Sequence, residues 1–201
     1  MSTVLKAVIF DLNGVFIQSP KLSDRFQADF GVPASDFLPK LSEIMDEVRR
    51  PRAKNAFSYW EPALKEWKVE MNEQEFWKYW FDAESPSEEM IQLAKELKEK
   101  GMKVITLSNN FKERAEYYGH YPWMSEVVDK AYFSWQTGLV KPDVEAWNLV
   151  LKDFSLHPNE CIYFDDQEKN LSAAKSIGIQ SFMFSAPEET RSVIQTHLKV
   201  A

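Results

Sequence analysis

Short apolar runs alternate with segments whose apolar residues recur every three or four positions over most of this chain. The runs at 5–10, 103–107, 130–133, 161–164 and 179–183 predict strands. Met90, Leu93, Ala94 and Leu97 form one helical stripe. Ser85-Pro86-Ser87-Glu88 reads as its start, a capping box with proline at the first helical position, and Gly101 as its end. Ala173, Ala174 and Ile177 followed by Gly178 repeat the design. Helix, glycine, strand, twice over, predicts an α/β fold: a Rossmann-like parallel sheet flanked by helices. Residues 16–85 break this rhythm and offer no convincing strand. Phe57, Trp60, Leu64 and Trp67 fall at helical spacing, as do Phe76, Tyr79 and Trp80, and Asn72 with Glu75 reads as a helix start. The pattern predicts a small all-helical insert at 16–85 after the first strand. A sheet-based core then takes residues 1–15 and 86–201.

Composition changes this picture in only a few places. The 201 residues are enough for one sizeable core plus an insert. A formal net charge of −7 argues against a general nucleic-acid binder, which needs a basic footprint, but not against a small anionic ligand. Cys161 is the sole cysteine, so no intramolecular disulfide forms and a structural zinc site is not expected. Its place in Cys161-Ile162-Tyr163-Phe164 predicts a buried small hydrophobe. No basic stretch followed by a long apolar run opens the chain, and no apolar run approaches membrane-spanning length. A cytoplasmic monomer or homodimer with no membrane or nucleic-acid partner is expected.

Candidate chemistry sits where predicted strands end. Asp11 follows the first run and Ser108-Asn109 the second. Lys141-Pro142 follows Gly138-Leu139-Val140, and Asp165-Asp166 follows the run at 161–164. Open parallel sheets bind ligands outside the carboxyl ends of their strands, so these residues are expected to converge. Carboxylates suit a hard cation such as Mg²⁺, and a hydroxyl, an amide and a lysine suit phosphate oxygens. Asp11 is then placed to attack phosphorus. Taken singly, each has a plain reading as a helix cap, a turn or a solvated loop. Four of them in order make coincidence a poor explanation.

With these motifs in view, the chain resembles the haloacid dehalogenase-like hydrolases. The match rests on Phe10-Asp11-Leu12-Asn13-Gly14-Val15, Leu107-Ser108-Asn109, Lys141-Pro142 and Phe164-Asp165-Asp166 with Asn170. Thr106 to Asn110 and Tyr163 to Asp166 look like the sugar-phosphate phosphatases and the phosphatase domain of epoxide hydrolases. The resemblance implies a Mg²⁺-dependent phosphatase acting on a small phosphorylated metabolite, with residues 16–85 as a cap. Asp11 is implied as nucleophile and metal ligand, and Asn13 as a metal ligand through its backbone carbonyl. Ser108, Asn109 and Lys141 are implied as phosphoryl-binding residues. Asp166 is implied as the second metal-binding acid, with Asp165 supporting it.

Asn13 departs from the phosphatase pattern, which has an aspartate there to protonate the leaving oxygen and then activate water. An amide cannot transfer that proton, and positioned acid–base catalysis contributes typically ~10²–10⁴-fold. Three explanations stand open: an engineered change, a natural enzyme that tolerates asparagine, and a binding protein that has lost catalysis. Asn-Gly is also simply a favoured turn dipeptide. A 2-haloacid dehalogenase and a sugar phosphomutase are rival enzymes, and the paired acids Asp165-Asp166 argue against the first. In the insert, Arg49, Arg50, Arg52 and Lys54 form a short basic cluster, read as a solvated helix end in preference to a contact with an anionic substrate. Trp60, Trp67, Trp77 and Trp80 read mostly as packing. His120, His157 and His197 show no ligand spacing, and neither Glu61 nor Glu66 has a claim to replace the missing acid.

Overall fold

The structure, a computed structural model, describes residues 4–53 and 55–199; Lys54 of the basic cluster lies outside them. The chain opens with β1 (Ala7–Phe10) and β2 (Ile17–Gln18), then runs through α1 (Leu22–Phe30), α2 (Ala34–Val48), α3 (Phe57–Glu66) and α4 (Glu73–Phe81). Next come β3 (Ser85–Pro86), α5 (Glu88–Glu99), β4 (Lys103–Ser108), α6 (Lys112–Tyr118), α7 (Pro122–Val127) and β5 (Lys130–Phe133). The remainder is α8 (Ser134–Thr137), α9 (Glu145–Phe154), β6 (Cys161–Asp165), α10 (Glu168–Ser176), β7 (Gln180–Met183) and α11 (Pro187–Lys199).

The five apolar runs become one parallel sheet of order β5-β4-β1-β6-β7, so β1 is central. Its residues alternate between two cores. Val8 and Phe10 pack with Leu93 and Leu97 of α5 and Ile194 of α11. Ala7 and Ile9 pack with Trp147 and Val150 of α9 and Leu171 of α10. Burial on both faces explains why the strands read as continuous apolar runs rather than as alternating patterns. Cys161 is fully buried in β6, and burial pushes its thiol up to about 12.

Helices α1 to α4 enclose a separate aromatic core in which Phe26, Phe37, Trp60 and Phe76 are fully buried. Asn72 caps α4 as its spacing predicts: its side chain accepts from Glu75 N at 3.0 Å, and its own N–H donates to Glu75 Oε2 at 2.8 Å. Trp60 and Trp80 are buried in this core, and Trp67 and Trp77 are half-buried against it. Phe111, from the loop after β4, joins the same core at 5.4 Å from Trp77 and from Trp80.

Two local expectations fail at the base of this helical segment. It is not free of strands, because Ile17–Gln18 pairs antiparallel with Ser85–Pro86. Ser85 therefore does not cap a helix. Helix α5 starts two residues later, where Ser87 accepts from Met90 N at 3.3 Å. The ribbon claims Ser85 and Pro86 because β2 and β3 lie side by side in space, a pairing that no local pattern reveals.

Candidate active site

The carboxyl edge of the sheet gathers the polar residues. β1 ends at Phe10, and Asp11 N donates to Phe164 O at 2.8 Å, which continues the β1–β6 ladder by one bond. The Asp11 carboxylate is thereby held beside β6. It accepts from Leu12 N at 2.7 Å, and Lys141 Nζ lies 3.1 Å from it. Gly14 has φ +82°, a conformation that disfavours any side chain. A Cβ there would also stand 2.6 Å from Asp166 Oδ2. The Asn13-Gly14 turn thus serves backbone geometry and also makes room for a carboxylate.

Ser108 ends β4 as expected. Lys141 does not follow a strand: Gly138, Leu139 and Val140 form a loop after α8. That loop is tied to the sheet by a reciprocal pair. Asn109 Nδ2 donates to Lys141 O at 2.7 Å, and Lys141 N donates to Asn109 Oδ1 at 2.8 Å. The ammonium lands in the acid cluster, 2.6 Å from Asp165 Oδ2, with its side chain 1% exposed.

Asp165 and Asp166 have different surroundings. Asp165 is fully buried and accepts from Lys141, the Tyr163 hydroxyl, Gln167 N at 2.8 Å and Asn170 Nδ2 at 3.0 and 3.1 Å. Asn170 is itself buried, and its amide nitrogen donates to both Asp165 oxygens. Asp166 is exposed and turned toward the Asn13-Gly14 turn. Carboxylate oxygens of Asp11, Asp165 and Asp166 lie within 4.8 Å of one another. Burial, opposed by Lys141 and reinforced by Asp165, pushes the Asp11 carboxyl up to about 6. Burial and then Asp165 raise Asp166. Such crowded carboxylates fit a hard divalent cation with oxygen ligands, and Asp11 and Asp166 retain the accessible lone pairs to hold one.

Above this floor lies a cavity of about 280 Å³, lined by Asp11, Asn13, Ser108, Asn109, Lys141 and Asp166 together with Gln18, Ser19, Arg49, Arg114 and Lys169. Several of these were not singled out in the sequence. Arg49 does not behave as part of a solvated helix end: it lines the cavity with Nε buried and without an acceptor, while Arg50 and Arg52 are exposed. Burial, and then the neighbouring charge of Arg114, lower the Arg49 guanidinium. Asn13 sits in a hydrogen-bond chain. Asn110 Nδ2 donates to its Oδ1 at 3.1 Å, its Nδ2 donates to the Tyr118 hydroxyl at 2.6 Å, and that hydroxyl donates to Glu84 Oε2 at 2.6 Å. Glu84 also accepts from Ser19 at 3.0 Å and pairs with Arg114. Asn110 adjoins a motif already recognised, and Arg114 and Tyr118 share one face of α6 at four-residue spacing. Glu84 carries no local signal.

A sesquiterpene phosphatase of Aspergillus oryzae is 33% identical over 98 residues, 47% of this chain and 48% of that one. A D-ribitol-5-phosphate phosphatase of Bacteroides thetaiotaomicron is 32% identical over 59 residues, 29% of each chain. The chain spans less than half the length of these curated relatives. A HAD family enzyme of Bacteroides thetaiotaomicron, solved with magnesium and inorganic phosphate, superposes with a TM-score of 0.75 at 20% identity, covering 90% of this chain and 95% of that one. The model of the haloacid dehalogenase-like hydrolases matches residues 5–178, and the chain belongs to that family.

Proposed function

We propose that the chain is a Mg²⁺-dependent hydrolase of a small phosphorylated metabolite, working through an aspartyl-phosphate on Asp11. The observation that carries this reading is the pairing of Asp11 with Lys141 at the floor of a cavity that also presents Asp166. A nucleophile, a fixed cation and a metal-binding acid then face one ligand. Asp11, Asp166 and the backbone carbonyl of Asn13 would hold Mg²⁺, with Asp165 supporting them. The ion supplies positive charge that offsets repulsion between carboxylate and phosphate. Asp11 attacks phosphorus while Lys141 and Ser108 hold the phosphoryl oxygens. Asn109 keeps the Lys141 loop in place and has one amide hydrogen left for the phosphoryl group. Residues 16–85 act as the cap, contributing Arg49 to the cavity wall. Sugar phosphates are a candidate class, on the analogy of the ribitol-phosphate relative. Dehalogenation is less favoured, because it uses Asp11 as nucleophile but gives the paired acids Asp165 and Asp166 no metal to hold.

A screen over phosphorylated sugars and small metabolites tests the reading. Phosphate release that needs Mg²⁺ and stops with a chelator is expected. Metal-independent halide release from 2-haloacids, with no phosphate release, would replace it with the dehalogenase reading.

A further inference from the structure

The hydrogen-bond capacity of Asn13 is nearly spent, and what remains has a definite sign. A side-chain amide offers two N–H donors and one oxygen with two lone pairs. Asn110 Nδ2 donates to the oxygen at 3.1 Å, and Ser108 Oγ lies 3.5 Å from it. One N–H is given to the Tyr118 hydroxyl at 2.6 Å. The hydroxyl has a single proton, and Glu84 Oε2 receives it at 2.6 Å, so Tyr118 can only accept from Asn13. Glu84 is held in turn by Ser19 and Arg114. The chain of bonds therefore fixes which way the amide faces. All that Asn13 can still offer a ligand is one N–H donor, at the position where the resemblance expects a proton-transferring acid.

We propose that Asn13, oriented by Tyr118 and Glu84, donates a hydrogen bond to the departing oxygen without protonating it, and that the site thereby selects acyl phosphates, whose leaving oxygen departs as a stable carboxylate. This rests on the phosphatase reading and narrows its substrate class. In the first step an Asp11 oxygen forms a bond to phosphorus, the bond from phosphorus to the acyl oxygen breaks, and the electron pair stays on the departing carboxylate. No proton is needed. In the second step water attacks phosphorus and the bond to Asp11 breaks. Asp11 leaves as a carboxylate, and the proton of the water passes to a phosphoryl oxygen. An alkyl phosphate, by contrast, must expel an alkoxide and needs the acid that Asn13 cannot be. Arg49 adds an independent observation. Its guanidinium lines the same cavity, a cation able to pair with a departing carboxylate.

The test measures kcat/KM, with Mg²⁺ present, for acetyl phosphate, a series of aryl phosphates of graded leaving-group acidity, and alkyl phosphates. A steep decline with rising leaving-group pKa is expected, with acetyl phosphate ahead of alkyl phosphates by ~10²–10⁴-fold, the usual contribution of a general acid. Asn13→Ala should lower kcat on acetyl phosphate by roughly 10²-fold, the cost of losing one such donor. Tyr118→Phe should lower kcat more than it changes KM and should leave the leaving-group dependence steep. Asn13→Asp should flatten that dependence by rescuing alkyl phosphates selectively. Alkyl phosphates turned over as fast as acetyl phosphate by the unaltered chain would overturn the inference and leave the phosphatase reading standing. That series needs no variant to fold. No hydrolysis of any phosphate compound would overturn both.

Discussion

Asn13 Nδ2 lies 2.6 Å from the Tyr118 hydroxyl, whose own proton goes to Glu84. The residue at the expected acid–base position is thus held by its neighbours, with a single amide N–H left to meet a ligand. An aspartate there would present an oxygen to a hydroxyl already committed elsewhere. It would have to carry a proton or turn the hydroxyl away from Glu84. Either arrangement restores a group that can transfer a proton. Asn13→Asp is expected to raise kcat on alkyl phosphates by ~10²–10⁴-fold. Steady-state kinetics check it, and an unchanged or lower kcat would show that position 13 does not limit proton transfer.

Lys141 joins Asp11 and Asp165 where almost no water reaches. Removing one partner of a buried charge pair leaves the other uncompensated, which costs about 3–5 kcal/mol. Lys141→Ala is expected to lose about that much stability and all measurable turnover. Urea unfolding measures the first effect. A stability within about 0.5 kcal/mol of the unaltered protein, the range of an ordinary surface substitution, would show that the cluster does not depend on this ammonium.

Asp11 is costly to the fold. Burial raises its carboxyl from 3.8 to about 6, so the folded protein holds the proton more tightly than the unfolded chain does. Stability from this group is present below pH 3.8 and declines as pH rises toward about 6, beyond which the penalty is complete. Asp11→Asn removes the ionisation. The metal-free variant is expected to be inactive yet more stable than the unaltered protein above pH 6, by on the order of 1–3 kcal/mol. The gap should close as the pH falls toward 4. Thermal melts across that range, without divalent cations, measure it. A variant less stable at neutral pH would show that Asp11 is held by its contacts rather than strained by burial.

How far the sequence reveals this site depends on the range of each interaction. Asp11, Ser108 and Asp165 are legible because each ends an apolar run, and parallel strands bring such ends together. Lys141 is legible from its motif alone: the run before it looks like a strand but is a loop, held by Asn109 from thirty-two positions away. Glu84 and Tyr118 are not legible, since their bonds join residues 34 and 105 positions apart. Arg49 looks like its exposed neighbours Arg50 and Arg52, and only its place in the wall of the cavity that holds Asp11 sets it apart. The Ser85-Pro86 start of a helix is overruled by a strand pairing with Ile17 and Gln18. In each miss a local pattern competes with a long-range contact that buries or pairs the same atoms.

The most direct test of Asp11 as the phosphoryl acceptor is an acid quench during turnover of acetyl phosphate with Mg²⁺, followed by peptide mapping. A phosphoryl group is expected on the tryptic peptide spanning residues 7–21, at Asp11, and is expected to be absent from Asp11→Asn. Phosphate release that continues undiminished in Asp11→Asn, or a phosphoryl group carried on a different residue, would contradict it.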